Sequence, residues 1–204
     1  MKTVTLGRTG LDVSIAGLGC GGPSRLGMRG DPSKKDHAVR LVQTAIDLGV
    51  TFIDTAESYG TEEAVGEAVR GRRDQIVISS KQGAILGGRD GTPKTPEQFM
   101  DKLDASLARL GTDYLDIYHV HGVVAEELDH TLDVIVPTMH KARDAGKIRH
   151  LALSEAFERD TDHGPLQDLL RRSDDFDVLM IGFNLLNPSA RKTVLPQTMQ
   201  RRVG

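Results

Sequence analysis

Six short apolar segments alternate with stretches of helical periodicity along the chain, and that alternation narrows the fold more than any other feature. Val13 to Gly19 (VSIAGLG) reads as the first strand and runs into a glycine-rich loop, GCGGPSRLG. Asp36 is placed to cap a helix to about Leu48, with Val39, Val42, Ala45, Ile46 and Leu48 on or near one face and Gly49 as its stop. Val50 to Thr55 is the second strand, Glu62 to Val69 the next helix, and Ile76 to Lys81 the third strand. In TPEQFMDKLDASLARLG, Thr95 takes the N-cap, Pro96 the first helical position, Gln98 the returning capping-box position, and Gly111 ends the helix. Leu115 to His121 is the fourth strand. Asp129 to Ala145 reads as helix, with Pro137 as a kink or as its true start. Ile148 to Ser154 is the fifth strand, Pro165 to Arg172 a short helix, and Asp177 to Gly182 the sixth strand. A last helix opens at Asn187 and Pro188 and runs to about Gln200.

This order calls for right-handed parallel crossovers and fits two α/β architectures, a doubly wound open sheet and a (β/α)8 TIM barrel. The polar residues favour the barrel. Asp54, Lys81, His121 and Ser154 each stand at the carboxyl tip of a strand, where barrel active sites lie. GLGCGG is a poor dinucleotide fingerprint, because Pro23 and Ser24 follow it and no helix opens there. The segment before Val13 reads as a β-hairpin.

At 204 residues the chain can bury a core as one domain, and no linker or charge block divides it, so residues 1–204 are expected to form a single barrel domain. Lys and Arg number 26 against 29 Asp and Glu, with the signs interspersed; no nucleic acid partner is expected from that balance. Cys20 is the one cysteine, which excludes an intrachain disulfide. No apolar run approaches the ~20 residues a membrane helix needs, and MKTVTLGRTGLDVS lacks a signal-peptide core. No membrane partner is expected, and the compartment expected by default is the cytoplasm.

Inward-facing residues of a strand repeat every two positions, so Asp54 brings Phe52 inside and Lys81 brings Ser79. Asp54, Lys81 and His121 then crowd one rim, and Tyr59 folds over them from the loop after the second strand. A phenol with an ordinary pKa of about 10 is a weak acid near neutrality unless a cation stabilises its phenolate. Lys81 is the expected cation, and Asp54 its counter-charge. His121 is placed to hydrogen-bond a substrate carbonyl. Each position also has a plainer reading: Tyr59-Gly60 as a turn pair, Asp54 as a cap, Lys81 as a solvated strand end. His119 shares the face of His121 and reads as a packed layer beneath it. No third ligand accompanies the two, so no metal is expected. His37, His130, His140, His150 and His163 read as surface or core positions outside any constellation.

LGRTGLDVSIAGLGCGG, GVTFIDTAESYG, IVISSK, LARLGTDYLDIYHVHG and AGKIRHLALSE, in this order, resemble the aldo-keto reductases, and the likeness runs from about Lys2 to about Pro196. The resemblance implies a (β/α)8 barrel whose amino-terminal hairpin plugs its bottom. It further implies NADP(H) as cofactor and reduction of an aldehyde or ketone, a small carbonyl or sugar-like substrate, by hydride transfer. It assigns Tyr59 as proton donor, Lys81 and Asp54 as its tuners, and His121 as the residue that orients the carbonyl. It places Gly19, Cys20 and Gly21 against the nicotinamide riboside, with Asp54 nearby, and Ser154 and the following Glu155 at the carboxamide. The family often has Asn where Glu155 stands and Gln where Met180 stands.

A complete barrel takes about 250 residues. Here about six βα units precede QRRVG, so the barrel is expected to be incomplete, with strands seven and eight missing and the chain a truncated form. Two readings follow: a reductase, or a catalytically silent truncated barrel that self-associates or binds a partner through its open edges. A third keeps the barrel and makes Lys81 the Schiff-base lysine of an aldolase.

Overall fold

The computed structural model describes residues 1–87 and 91–204. It opens on an antiparallel hairpin of β1 (Thr3–Thr5) and β2 (Asp12–Ser14). There follow β3 (Leu18–Gly19), α1 (Lys35–Asp47), β4 (Phe52–Asp54), α2 (Glu62–Ala68) and β5 (Val77–Gln82). A small ribbon of β6 (Ile85–Leu86) and β7 (Thr92–Pro93) leads to α3 (Pro96–Leu110), β8 (Leu115–Val123), α4 (Leu128–His130) and α5 (Val136–Asp144). The chain continues through β9 (Ile148–Glu155), α6 (Gly164–Arg172), β10 (Val178–Met180), α7 (Ala190–Thr193) and α8 (Leu195–Arg201).

β3, β4, β5, β8, β9 and β10 lie side by side in chain order, and every pair is parallel. Each helical connection therefore delivers the chain to the neighbouring strand, the rule of a (β/α)8 barrel. The six strands make a curled half-barrel whose edges are β3 and β10.

The period-two alternation of the strands splits the core. Ile53, Ile78, Tyr118, Val120, Leu151 and Leu153 face outward onto the helices, where Phe99, Leu103 and Leu107 of α3 and Ile135 and Met139 near α5 meet them. Val77, Ile117, Ala152 and Val178 face inward and form a second cluster with Val13, Leu6, Leu11 and Phe52. The hairpin thus closes the bottom of the half-barrel with apolar side chains. Ser14 and Thr51 exchange N–H to hydroxyl bonds at 2.9 and 3.0 Å, which fixes the hairpin to the start of β4. On the far side Arg8 donates to Asp177 Oδ1 at 3.0 Å and to the carbonyls of Asp174 and Phe176 at 2.5 and 2.9 Å.

Several expected boundaries change. Val13 to Gly19 is two strands: Val13 and Ser14 pair with β1, whereas Leu18 and Gly19 pair with β4, and the Ser14 hydroxyl turns the chain between them by donating to Ala16 O at 2.7 Å. Pro137 starts α5 rather than kinking a longer helix, because a wide π turn over Thr131–Ile135 precedes it. The last helix is broken into α7 and α8, with Pro196 in the first turn of the second, where its missing N–H leaves nothing unpaired.

Candidate active site

Asp54 ends β4 and Lys81 lies near the end of β5, both on the inner face. Lys81 Nζ contacts Asp54 Oδ1 and Oδ2 at 2.5 Å each and donates to Thr55 O at 2.9 Å; Ser79 Oγ, opposite Asp54 in the ladder, donates to Oδ1 at 3.0 Å. The Lys81 side chain is 1% exposed. Burial pushes Lys81 below the ordinary lysine pKa, and Asp54 opposes that shift.

Tyr59 closes a single 3-10 turn, Glu57–Tyr59, that ends at Gly60. Lys102 holds Glu57 at 2.5 Å, and the hydroxyls of Thr55 and Thr61 meet at 2.9 Å behind the turn. The turn lays the phenol ring over the ion pair, with Lys81 Nζ 5.2 Å from the ring centroid. The His121 imidazole meets the same ring edge-on, with centroids 5.7 Å apart and 84° between planes. On the opposite side the ring abuts Gly21 so closely that a Cβ there would lie 2.5 Å from Cε2 and 2.6 Å from Cζ.

The expectation that Lys81 would keep the phenol acidic is corrected. Burial first, and then the charge of Asp54, push Tyr59 up to about 12. The Lys81 ammonium, 5.2 Å from the ring centroid and paired with Asp54, does not offset those two effects.

His121 stands at a β-bulge. The β8–β9 register shifts between Val120 and Val123, with Gly122 at φ 65°, a value that a residue with a Cβ adopts only at a cost. The Gly122 N–H, turned from the ladder, donates to Ser154 Oγ at 2.9 Å. A kink in the strand thus aims His121 at the rim. His119, paired with Lys81 in the ladder, is buried, and neither ring nitrogen has a hydrogen-bond partner among the described residues. Burial and then the Lys81 charge hold its pKa well below the ordinary histidine value, so the ring is neutral.

The other candidates divide. Gly19 pairs with Asp54, and Cys20 N–H donates to Asp54 O at 2.8 Å. The Cys20 thiol is fully buried, pushed up to about 12 by burial and by Asp54. Gly19, Cys20 and Gly21 thus line one flank of the Asp54, Tyr59, Lys81 and His121 group, and Ser154 stands beside His121. Glu155 is not brought to them: His163 and the Gly182 N–H occupy its carboxylate. Three of the five histidines read as surface or core positions each meet one carboxylate. His163 pairs with Glu155, His140 with Asp175 at 2.7 Å, and His150 with Asp177 at 3.3 Å. Among the described residues no group of three or more His, Cys, Asp or Glu is placed to hold a metal, and no helix is long and apolar enough to cross a membrane.

A cavity of about 320 Å³ opens beside His121, lined by Ser58, Gly83, Ala84, Ile85 and Glu127. These residues come from the segments that follow β4, β5 and β8, and of them only Ser58 lies in a motif quoted from the sequence.

The sequence profile of the aldo/keto reductase family matches residues 18–202. The chain belongs to the aldo/keto reductase family. Curated relatives of this family member include the uncharacterized oxidoreductase YqkF of Bacillus subtilis, 32% identical over 160 residues, 76% of this chain and 49% of the relative. The L-galactose dehydrogenase of Arabidopsis thaliana is 33% identical over 155 residues, 73% of this chain and 47% of the relative. Among solved structures, the holo form of the aldo-keto reductase AKR11C1 from Bacillus halodurans superposes with a TM-score of 0.81 at 26% identity, covering 100% of this chain and 64% of that one. The aldo/keto reductase of Klebsiella pneumoniae in complex with NADP and acetate gives 0.76 at 30% identity, covering 99% and 65%. The chain spans about half the length of the curated relatives it matches.

Proposed function

We propose that this chain is an NADP(H)-dependent oxidoreductase that reduces an aldehyde or ketone to an alcohol within one barrel domain, residues 1–204. The observation that carries the reading is the stack at the rim: the Asp54–Lys81 ion pair, the Tyr59 ring 5.2 Å above its ammonium, and the His121 ring edge-on to Tyr59. One phenol, one imidazole and one buried cation converge where a carbonyl oxygen would sit beside the cavity. A bound nicotinamide supplies the hydride. Tyr59, fully protonated near neutrality, gives its hydroxyl proton to the carbonyl oxygen as that oxygen gains charge. Lys81, anchored by Asp54, faces the phenolate left behind, and His121 fixes the carbonyl by hydrogen bonding.

The residues partly fit that cofactor. Ser154 Oγ accepts from Gly122 and keeps its own proton for an amide oxygen. The backbone of Gly19, Cys20 and Gly21 flanks Tyr59, whereas Glu155 is already engaged. The Klebsiella pneumoniae aldo/keto reductase is in complex with NADP, which supports NADP(H) here.

Among the described residues no Phe, Tyr or Trp lines the cavity. It sets the Ser58 hydroxyl against apolar Ala84 and Ile85, which suits a small hydroxylated, sugar-like carbonyl. The relative named L-galactose dehydrogenase agrees with that class. The test is NADPH oxidation at 340 nm with dihydroxyacetone or glyceraldehyde. Tyr59→Phe is expected to abolish it, and an unchanged rate in that variant would refute the assignment.

A second reading is favoured by the edges at β3 and β10 and by Leu185 and Leu186, each 97% exposed, beside Phe183 at 47%. It is a catalytically silent barrel that self-associates. Light scattering separates the two: a monomer that turns over substrate supports the first, and an inactive oligomer the second.

A further inference from the structure

The Glu155 side chain is 3% exposed. Its oxygens accept from His163 Nδ1 at 3.0 and 2.9 Å, and Oε1 also takes the Gly182 N–H at 2.6 Å. His163 is fully buried and sits in left-handed backbone at φ 63°, a conformation unfavourable for a residue with a Cβ. Its ring stacks on Phe157 with centroids 5.5 Å apart and 22° between planes, and Nε2 lies 2.9 Å from Ser189 Oγ at the head of α7. Glu155 ends β9 and Gly182 follows β10. One carboxylate and one imidazole therefore join the carboxyl tips of two adjacent strands to the helix that follows.

Ser189, His163 and Glu155 stand in the order of nucleophile, base and orienting acid. Ser189 Oγ, however, also has Asn187 Oδ1 at 2.5 Å and Thr161 O at 2.9 Å. Its single proton is contested by these two acceptors as well as by His163 Nε2, so His163 has no sole claim on it as a base. The set holds loops together; it does not attack a substrate.

We propose that Glu155 and His163 are positioning residues: their clasp sets the separation of the β9 and β10 tips, and with it the place of Ser154, so that cofactor affinity depends on two side chains that do not touch the cofactor. The proposal rests on the reductase reading above. Ser154 is the neighbour of Glu155 and the ladder partner of Met180, two residues before Gly182, so a shift of either tip displaces the Ser154 hydroxyl. The engaged carboxylate has little capacity left for a ligand.

The experiment is a fluorescence titration of NADPH into the full chain and its variants, with thermal denaturation and amide exchange of Gly182 measured on the same samples. Glu155→Ala is expected to weaken NADPH binding about tenfold and to speed Gly182 exchange. His163→Asn, which tolerates the left-handed backbone, is expected to do the same, and the double variant to be no worse than either single, as residues acting through one contact are non-additive. Glu155→Gln should restore affinity to within about threefold, because its amide oxygen still accepts both N–H groups. Parent-like NADPH affinity in His163→Asn overturns the proposal, since it leaves Glu155 as a direct ligand. A lowered Tm with unchanged affinity also overturns it, as it leaves the clasp purely structural. A parent chain that binds no NADPH overturns the reductase reading and this proposal with it, whereas a parent that binds while all variants match it overturns the proposal alone.

Discussion

Replacing Gly21 by alanine tests whether the position of the Tyr59 ring governs turnover. The new Cβ would lie 2.5 Å from Cε2, 2.6 Å from Cζ and 2.9 Å from Cδ2 of Tyr59. Carbon atoms settle at about 3.5–4.0 Å, so the ring must retreat by about 1 Å. Tyr59 is half-buried on a one-turn segment and the clash is with the far end of its side chain. The ring therefore swings rather than the backbone, and the loss of stability is about 1 kcal/mol, the low end for overpacking. A misplacement of ~1 Å in a reacting group costs about 10²-fold in rate, or about 2.7 kcal/mol of transition-state stabilisation at the barrel rim. The assay is kcat/KM for dihydroxyacetone with NADPH, beside a melting curve. Gly22→Ala is the control: its φ of +68° makes alanine strained, but nothing lies within 4 Å of the added carbon. It is expected to lose roughly 1–2 kcal/mol of stability and to keep its turnover. A Gly21→Ala protein that retains kcat/KM within about threefold would show that the tight seat of Tyr59 is irrelevant to the chemistry.

Further outcomes follow from the same group of residues. In the cofactor-free protein Tyr59 is expected to ionise near 12, seen as the difference in ultraviolet titration between the parent and Tyr59→Phe; Asp54→Asn should lower that midpoint, and a parent midpoint below the ordinary phenol value of about 10 contradicts the burial argument. The unfolded chain gives up the phenol proton first, so stability falls as pH climbs from about 10 to about 12, and nothing is lost from this group below that window. Lys81→Met leaves the Asp54 carboxylate, 18% exposed, without its cation, and should cost about 3 kcal/mol in urea denaturation, the low end for a broken buried pair. A loss under about 1 kcal/mol would mean that solvent already screens the pair.

Much of the fold and the rim was legible because local chemistry and architecture agree. Thr95 and Gln98 form the expected reciprocal capping box, and Gly111 ends α3 in the left-handed conformation. The two-residue alternation that puts Asp54, Ser79 and Lys81 on one face emerges as their mutual hydrogen bonds. What stayed hidden depends on contacts that no period encodes. VSIAGLG has the composition of one strand, and only the Ser14 and Thr51 exchange shows why it divides. Glu155 and His163 are separated by a turn in which a histidine takes a backbone shape usual for glycine, so neither spacing nor periodicity linked them. The raised pKa of Tyr59 was missed because residue types report which charges are present but not how far the phenol is buried, the larger cause of the shift.

Arg8 reaches Asp177 across 169 positions of chain. Closing so long a loop is paid for in entropy before any contact rewards it, so the guanidinium docks after the strands between have assembled. The Arg8 contact is then a latch set last. Losing Arg8 should hasten unfolding while leaving the folding rate alone, and the half-barrel would come apart from its floor rather than from the rim where its chemistry sits.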